Sequence, residues 1–291
     1  MRQNQHATEH EAQKRQNHPV VYTIPNMEHV HIRKNITYKT VEDDHLKLDI
    51  YYPTDYQERK PLPAVLFIHG DGPSDYLKDM KDAGQYTSWG KLIAASGLIA
   101  ITANHRSTER LTNVVGVSND IDDLITYVRE KSDQLHIDAD TLGIWTCSAG
   151  ALFGLRAALY ETPAFIHCVV SYYGFTELQA YYQSLYGERE AESAFIGPVF
   201  SEEDFAEFSA SNLLVRRIND IPPIFIARAG LDYPELNSAL DSFISEALAQ
   251  NVTLTVMNHP TGQHGFDILD PQTRSDEIIE MTLEFLQNHL L

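Results

Sequence analysis

A chain of 291 residues, 43% hydrophobic and 22% charged, has the make-up of a globular protein and can bury a sizeable core in one α/β domain. Its formal charge of −19, with Lys and Arg scattered, repels phosphate backbones and argues against a nucleic-acid role. No apolar run approaches bilayer length, no apolar leader opens the chain, and Cys147 and Cys168 lack metal-type spacing. A soluble, cytoplasmic protein without a disulfide framework is the expectation.

Residues 1–20, rich in Gln, Asn, His and Glu, carry no hydrophobic periodicity and read as a flexible polar tail. The tail histidines His6, His10 and His18 have nothing that sets a ligand geometry, so no metal site is expected there. Residues 21–291 read as one domain. Within it, NITYKTV and LKLDIYYP alternate apolar and polar residues across the acidic turn EDDH, which predicts an antiparallel hairpin. Six continuous apolar runs follow: PAVLFIHG, GLIAITAN, TLGIWTC, FIHCVVSYYG, PPIFIARAG and VTLTVMNHP. Such runs are expected of strands covered on both faces.

Helical patterns separate most of these runs. In SNDIDDLITYVREKS, Ile121, Leu124, Ile125 and Val128 share one face, with Ser118 or Asn119 as the expected cap. PELNSALDSFISEALAQ repeats the pattern behind Pro234, and SDEIIEMTLEFLQNHLL closes the chain as a further helix. Strands alternating with helices after a hairpin predict an α/β fold with a mainly parallel, doubly wound sheet and an antiparallel edge. Residues from about 175 to 220 break the rhythm and read as a helical, cap-like insertion over the strand ends. The aromatics Tyr172, Tyr173, Phe175, Tyr181, Tyr182 and Tyr186 cluster around its start and suit either a substrate pocket or the packing of inserted helices on the sheet.

Chemistry concentrates where strands end. In TLGIWTCSAGALFGLRAALY a buried strand, a tight turn and a helix rich in small residues place Ser148 at the turn. Ala149 and Gly150 suit a strained nucleophile turn, whereas Thr146 stands where G-x-S-x-G has its first glycine. On this segment alone a capping serine accounts for the pattern as well as a nucleophile does. Two further strand ends shift the balance. PPIFIARAGLD delivers Asp232, and NHPTGQHGFDILD delivers His264 in a Gly-flanked loop, giving the order Ser148, Asp232, His264. Loops at the C-terminal ends of parallel strands converge over one crevice, so three such side chains can meet there. A fourth strand ends in FIHGDGPSD, whose glycines Gly70 and Gly72 let backbone amides face a ligand. The amides of Asp71 and Ala149 are the expected pair of oxyanion donors, with the Asp71 carboxylate turned away.

HGDG, TCSAGA, AGLD and PTGQHGFD together resemble the α/β-hydrolase superfamily, in its dienelactone-hydrolase-like and carboxylesterase-like branch, over residues 35–290. The resemblance implies an α/β-hydrolase fold, a triad of Ser148, Asp232 and His264, acyl transfer to a small-molecule substrate, and no metal or organic cofactor. Hydrolysis of carboxylic esters with small or medium acyl groups is the leading expectation, thioesters, lactones or peptides on the same triad are the alternative, and an inactive binding module is the rival class.

Several residues carry alternative readings. Cys147 adjoins Ser148 but reads as packing, since the cysteine of dienelactone hydrolases occupies the serine position, and Cys168 reads as core. His69 reads as ordering the oxyanion loop. His105 and Arg106 suit the crevice or backbone carbonyls equally. His259 and His264 lack an acidic partner at metal-ligand spacing. Asp267 competes with Asp232 as triad acid but lies too close to His264 along the chain.

Overall fold

The computed structural model describes residues 17–56, 60–187, 206–216 and 220–291. The opening alternation forms the expected hairpin: β1 (His31–Val41) and β2 (Asp44–Tyr52) pair antiparallel around a turn with Glu42 at φ 54°. β1 starts before the predicted run and is interrupted near Asn35. That residue takes φ 59° and donates its N–H to Asp49 Oδ1 at 2.7 Å.

The six apolar runs become β3 (Leu62–Ile68), β4 (Ile99–Ala103), β5 (Ile137–Cys147), β6 (Ile166–Tyr172), β7 (Ile224–Ala229) and β8 (Leu254–His259). They pair in parallel, and β2 joins them antiparallel to β4, giving an eight-stranded sheet in the order β1-β2-β4-β3-β5-β6-β7-β8. The inner strands β3, β4, β6 and β7 are apolar because both faces are covered, whereas β8, expected to be covered likewise, lies at the sheet edge and leaves Val256 39% exposed. Ala64, Leu66 and Ile68 of β3 enter one core, and Val65 and Phe67 enter the other.

The first core is closed by α2 (Val114–Glu130), α3 (Gly150–Leu159) and α6 (Pro234–Ala249). The second is closed by α1 (Gly84–Ala95) and α7 (Thr273–Leu290). Helix α1 has no counterpart in the sequence reading. Tyr86, Ser88, Trp89, Gly90, Leu92, Ile93 and Ala94 are all buried, so it lacks the one-sided apolar stripe that betrays a surface helix. The cap expected at Ser118 or Asn119 falls inside α2, which begins four residues before Ser118. Val114 and Val117 extend its buried face backwards, and Ser118 is itself buried.

Of the expected insertion, the described residues form α4 (Leu178–Tyr186) and α5 (Ala210–Arg216), linked by a bridge between Glu177 and Ser209. Residues 188–205 and 217–219 lie outside the described residues. So do residues 1–16 of the expected tail, His6 and His10 included. Val20, at the end of that tail, is buried and donates its N–H to Ser88 Oγ at 2.7 Å. Among the described residues no helix is long and apolar enough to cross a membrane.

Candidate active site

The C-terminal ends of β3, β5, β7 and β8 supply the site. At the end of β5 the chain reverses into α3 through Ser148, which adopts φ 53°, a left-handed conformation that costs a non-glycine residue roughly 1–3 kcal/mol. Neighbouring backbone holds it there. The Ser148 N–H donates to the Tyr172 carbonyl at 3.0 Å, and its carbonyl accepts from Phe175 N–H at 3.0 Å. Gly150 is required by proximity, because a Cβ there would lie 2.2 Å from the His69 carbonyl oxygen. Thr146 fits because the bulk is removed elsewhere. Its hydroxyl donates to the Ile68 carbonyl at 3.2 Å, and its side chain faces Gly154, where a Cβ would come within 3.0 Å of it.

The loops after β7 and β8 are tied together by Gly230 N–H to His259 O at 2.8 Å and Leu231 N–H to Gly262 O at 2.9 Å. This brings Asp232 against His264. The His264 Nδ1 lies 2.9 Å from Asp232 Oδ2 and 3.0 Å from Oδ1, and its Nε2 lies 2.9 Å from Ser148 Oγ. The Asp232 side chain is fully buried while that of His264 keeps 19% exposure, so a carboxylate shielded from water supports an imidazole that a ligand can reach. An Nδ1–H donated to the carboxylate leaves Nε2 as the acceptor for the serine proton.

The turn after β3 packs directly on the Ser148 turn: a Cβ at Gly70 would stand 3.1 Å from Ser148 Cβ. Gly70 N–H is engaged by the Tyr86 hydroxyl at 3.2 Å, which takes it out of contention as an oxyanion donor. The N–H groups of Asp71 and Ala149 are bound by no backbone carbonyl among the described residues. The Asp71 carboxylate is turned towards Thr108 and Tyr181. It accepts the Thr108 N–H at 3.0 Å, the Thr108 hydroxyl, and the Tyr181 hydroxyl at 2.7 Å.

The remaining candidates fall into structural roles. His69 is buried, donates Nδ1–H to Gly70 O at 2.7 Å, accepts the His105 N–H on Nε2 at 3.2 Å, and stacks on the His105 ring at 3.6 Å. Burial, followed by the charge of His105, holds its pKa well below the ordinary value and keeps it neutral. Arg106 is a fork on the buried Asp120 carboxylate, with 2.8 Å contacts to both oxygens. Cys147 is buried beside the Tyr86 hydroxyl, and burial pushes its thiol up to about 12. His259 turns to Ser275 and Asp270, 3.2 and 3.3 Å away. No cluster of metal-ligating side chains occurs among the described residues. Asp267 is fully buried and bonded to Tyr173, Trp89 and Gln85 rather than to His264. Of the aromatic group, Tyr173 borders the site, its ring 4.6 Å from that of His264, whereas Tyr172 packs in the core against Trp89 and Trp145.

Residues 48–234 match the family model described as BD-FAE, well over half of the chain. The chain belongs to the BD-FAE family. This is an α/β-hydrolase-type esterase family, and the chain is accordingly a hydrolase acting on esters. No curated protein sequence matches it. Among solved structures it is similar to esterase 2 of the Planctomycetes species Thermogutta terrifontis. The propionate-bound form shares 18% identity over 91% of this chain and 96% of that chain, with a TM-score of 0.69. The apo form shares 18% identity over 92% and 98%, with a TM-score of 0.68. The form phosphoramylated by tabun shares 16% identity over 91% and 96%, with a TM-score of 0.66. At these identities the likeness is one of fold.

In this BD-FAE member Ser148 and His264 open into a cleft of about 160 Å³ whose walls include Met80, Gln85, Tyr173 and Leu269. Gln85 and Tyr86, both on α1, were not anticipated from the sequence. The signal available was GQYTSWGKLIAA, where Trp89 follows the pair Gln85 and Tyr86 by one turn, but with no strand end or glycine turn to mark them as chemical.

Proposed function

We propose that the chain is a serine carboxylic-ester hydrolase working through a Ser148–His264–Asp232 triad on small acyl substrates. The observation that carries the reading is the placement of His264 2.9 Å from both Ser148 Oγ and Asp232 Oδ2. In the first half-reaction Ser148 Oγ bonds to the ester carbonyl carbon, its proton passes to His264 Nε2, and the carbonyl electrons move onto oxygen. The oxyanion rests on the N–H groups of Asp71 and Ala149, each worth about 3 kcal/mol of barrier. Collapse breaks the carbon–alkoxy bond, His264 returns the proton to the departing alcohol, and an acyl-enzyme remains. Water, deprotonated by His264, then releases the acid by the same route. Asp232 holds the imidazole tautomer and stabilises its cation.

Two features of the structural neighbour support the serine mechanism and the small acyl group: Thermogutta esterase 2 is phosphoramylated by tabun and binds propionate. The test is a fluorophosphonate probe with a panel of nitrophenyl esters, acyl thioesters and aminoacyl amides. Wild type and Cys147→Ala label and hydrolyse esters. Ser148→Ala does neither, with kcat/KM lower by roughly 10⁴-fold or more. An unlabelled wild type, or turnover of amides with no turnover of esters, overturns the reading.

A further inference from the structure

Behind the cleft lies a polar network that fixes the orientation of one amide. Asp267 is fully buried among neutral groups and accepts three hydrogen bonds. They come from the Tyr173 hydroxyl to Oδ1 at 2.6 Å, and from Trp89 Nε1 and Gln85 Nε2 to Oδ2 at 2.8 and 2.9 Å. Tyr173 has one proton and spends it on Asp267, so its oxygen is the acceptor in the 2.8 Å contact with Gln85 Nε2. Both protons of the Gln85 amide nitrogen are therefore taken by acceptors. A flipped amide would set its oxygen against a carboxylate, so the orientation is forced.

The consequence is an acceptor without a donor. Gln85 Oε1 receives no hydrogen bond from any described residue, and it is not among the buried unpartnered atoms. Gln85 shares the cleft with Ser148 and His264, where Met80, Ala83, Ile268 and Leu269 supply apolar wall. A directed acceptor in such a wall discriminates between ligands that can donate to it and ligands that would leave it dry and unpaired.

We propose that Gln85 is a specificity-determining residue whose Oε1 accepts a hydrogen bond from a hydroxyl on the substrate, so that short esters carrying a hydroxyl are preferred over their deoxy counterparts. The inference rests on the esterase reading above and names the class of ester the site takes. Gln85 is held by a buried carboxylate and the Tyr173 hydroxyl, and Trp89 anchors that carboxylate in turn, so the acceptor is positioned before substrate arrives.

Two matched pairs test it, followed by proton release: ethyl 3-hydroxybutyrate against ethyl butyrate for the acyl side, and 2-hydroxypropyl butyrate against propyl butyrate for the alcohol side. Wild type is expected to favour the hydroxylated member of one pair by about tenfold or more in kcat/KM. Gln85→Met, which has no acceptor, should bring that ratio to within about twofold of unity. Gln85→Lys, which keeps N–H donors for Asp267 and Tyr173 but offers no acceptor, should do the same. Because each ratio compares two substrates on one preparation, any loss of folded enzyme cancels. Ser148-dependent hydrolysis with no preference in either pair, or a preference that survives both substitutions, overturns the assignment of Gln85 and leaves the esterase standing. Absence of Ser148-dependent hydrolysis on all four esters overturns the esterase reading itself.

Discussion

The Tyr181 hydroxyl donates to Asp71 Oδ2 at 2.7 Å and so ties helix α4 to the turn that borders Ser148. A carboxylate near a developing oxyanion opposes it, and Tyr181 and Thr108 together draw this one away from the serine. Burial, then the Asp71 charge, raises the Tyr181 pKa, so the phenol remains a neutral donor across the working range. Tyr181 is thus a positioning residue for the proposed oxyanion amide of Asp71. Tyr181→Phe is expected to lower kcat about tenfold, matching roughly 1.4 kcal/mol of barrier, while KM changes by less than about twofold. A variant with altered thermal stability but unchanged kcat would show the bond to be purely structural.

Cys147 stands next to the proposed nucleophile, and burial leaves its thiol protonated. A thiol pushed up to about 12 by burial is about 10⁻⁴ thiolate at pH 8. Native enzyme incubated with iodoacetamide at pH 8 should keep its activity and gain no mass, whereas enzyme unfolded in urea should gain two carbamidomethyl groups, at Cys147 and Cys168. Rapid inactivation of native enzyme, absent in Cys147→Ala, would contradict this account.

His69 makes stability depend on pH in a defined direction. Its folded pKa lies well below the ordinary value of 6.5, so the unfolded chain takes up a proton that the native state refuses. Its contribution is complete above pH 6.5 and is lost as pH falls from there towards the folded pKa. His69→Asn can still donate to Gly70 O and has no titration in this range. The stability difference between wild type and variant should therefore narrow, or reverse in favour of the variant, between pH 7 and 5. Urea midpoints measured across that interval check it; a constant difference would mean that His69 is not held neutral.

The inner parallel strands were legible because they are apolar on both faces, and the hairpin because its residues alternate, and both properties survive in a linear string. Ser148, Asp232 and His264 were legible for a related reason: each follows a predicted strand, at a turn marked by Gly150, Gly230 or Gly265. Asp71 was readable as a turn residue, but its carboxylate partners Thr108 and Tyr181 lie 37 and 110 residues away, and no local pattern announces them. Helix α1 escaped notice because burial on most sides erases its periodicity, and Gln85, Trp89 and their bonds to Asp267 went with it. Thr146 looked like a defect in the nucleophile motif. The matching vacancy is at Gly154, eight residues on, and only packing reveals that the two belong together.

Lys81 and Asp49 form a buried ion pair, with side-chain exposures of 1% and 0% and an N–O distance of 3.0 Å, and Lys81 Nζ also reaches Oδ2 of the partly exposed Asp82 at 2.6 Å. Asp49 Oδ1 also accepts the Asn35 N–H, and the nearest other cation to its Oδ2, Lys34, stands 3.9 Å away with half of its side chain exposed. Lys81→Met fills similar volume with apolar atoms but leaves the carboxylate without its close partner, which should cost about 3–5 kcal/mol. Asp49→Asn in the same chain removes the stranded charge and keeps an acceptor for Asn35. The double variant should therefore recover most of the loss, giving a coupling of about 2 kcal/mol or more in a double-mutant cycle read by urea unfolding. Additive losses would mean that the two residues stabilise the fold independently, through packing rather than through each other.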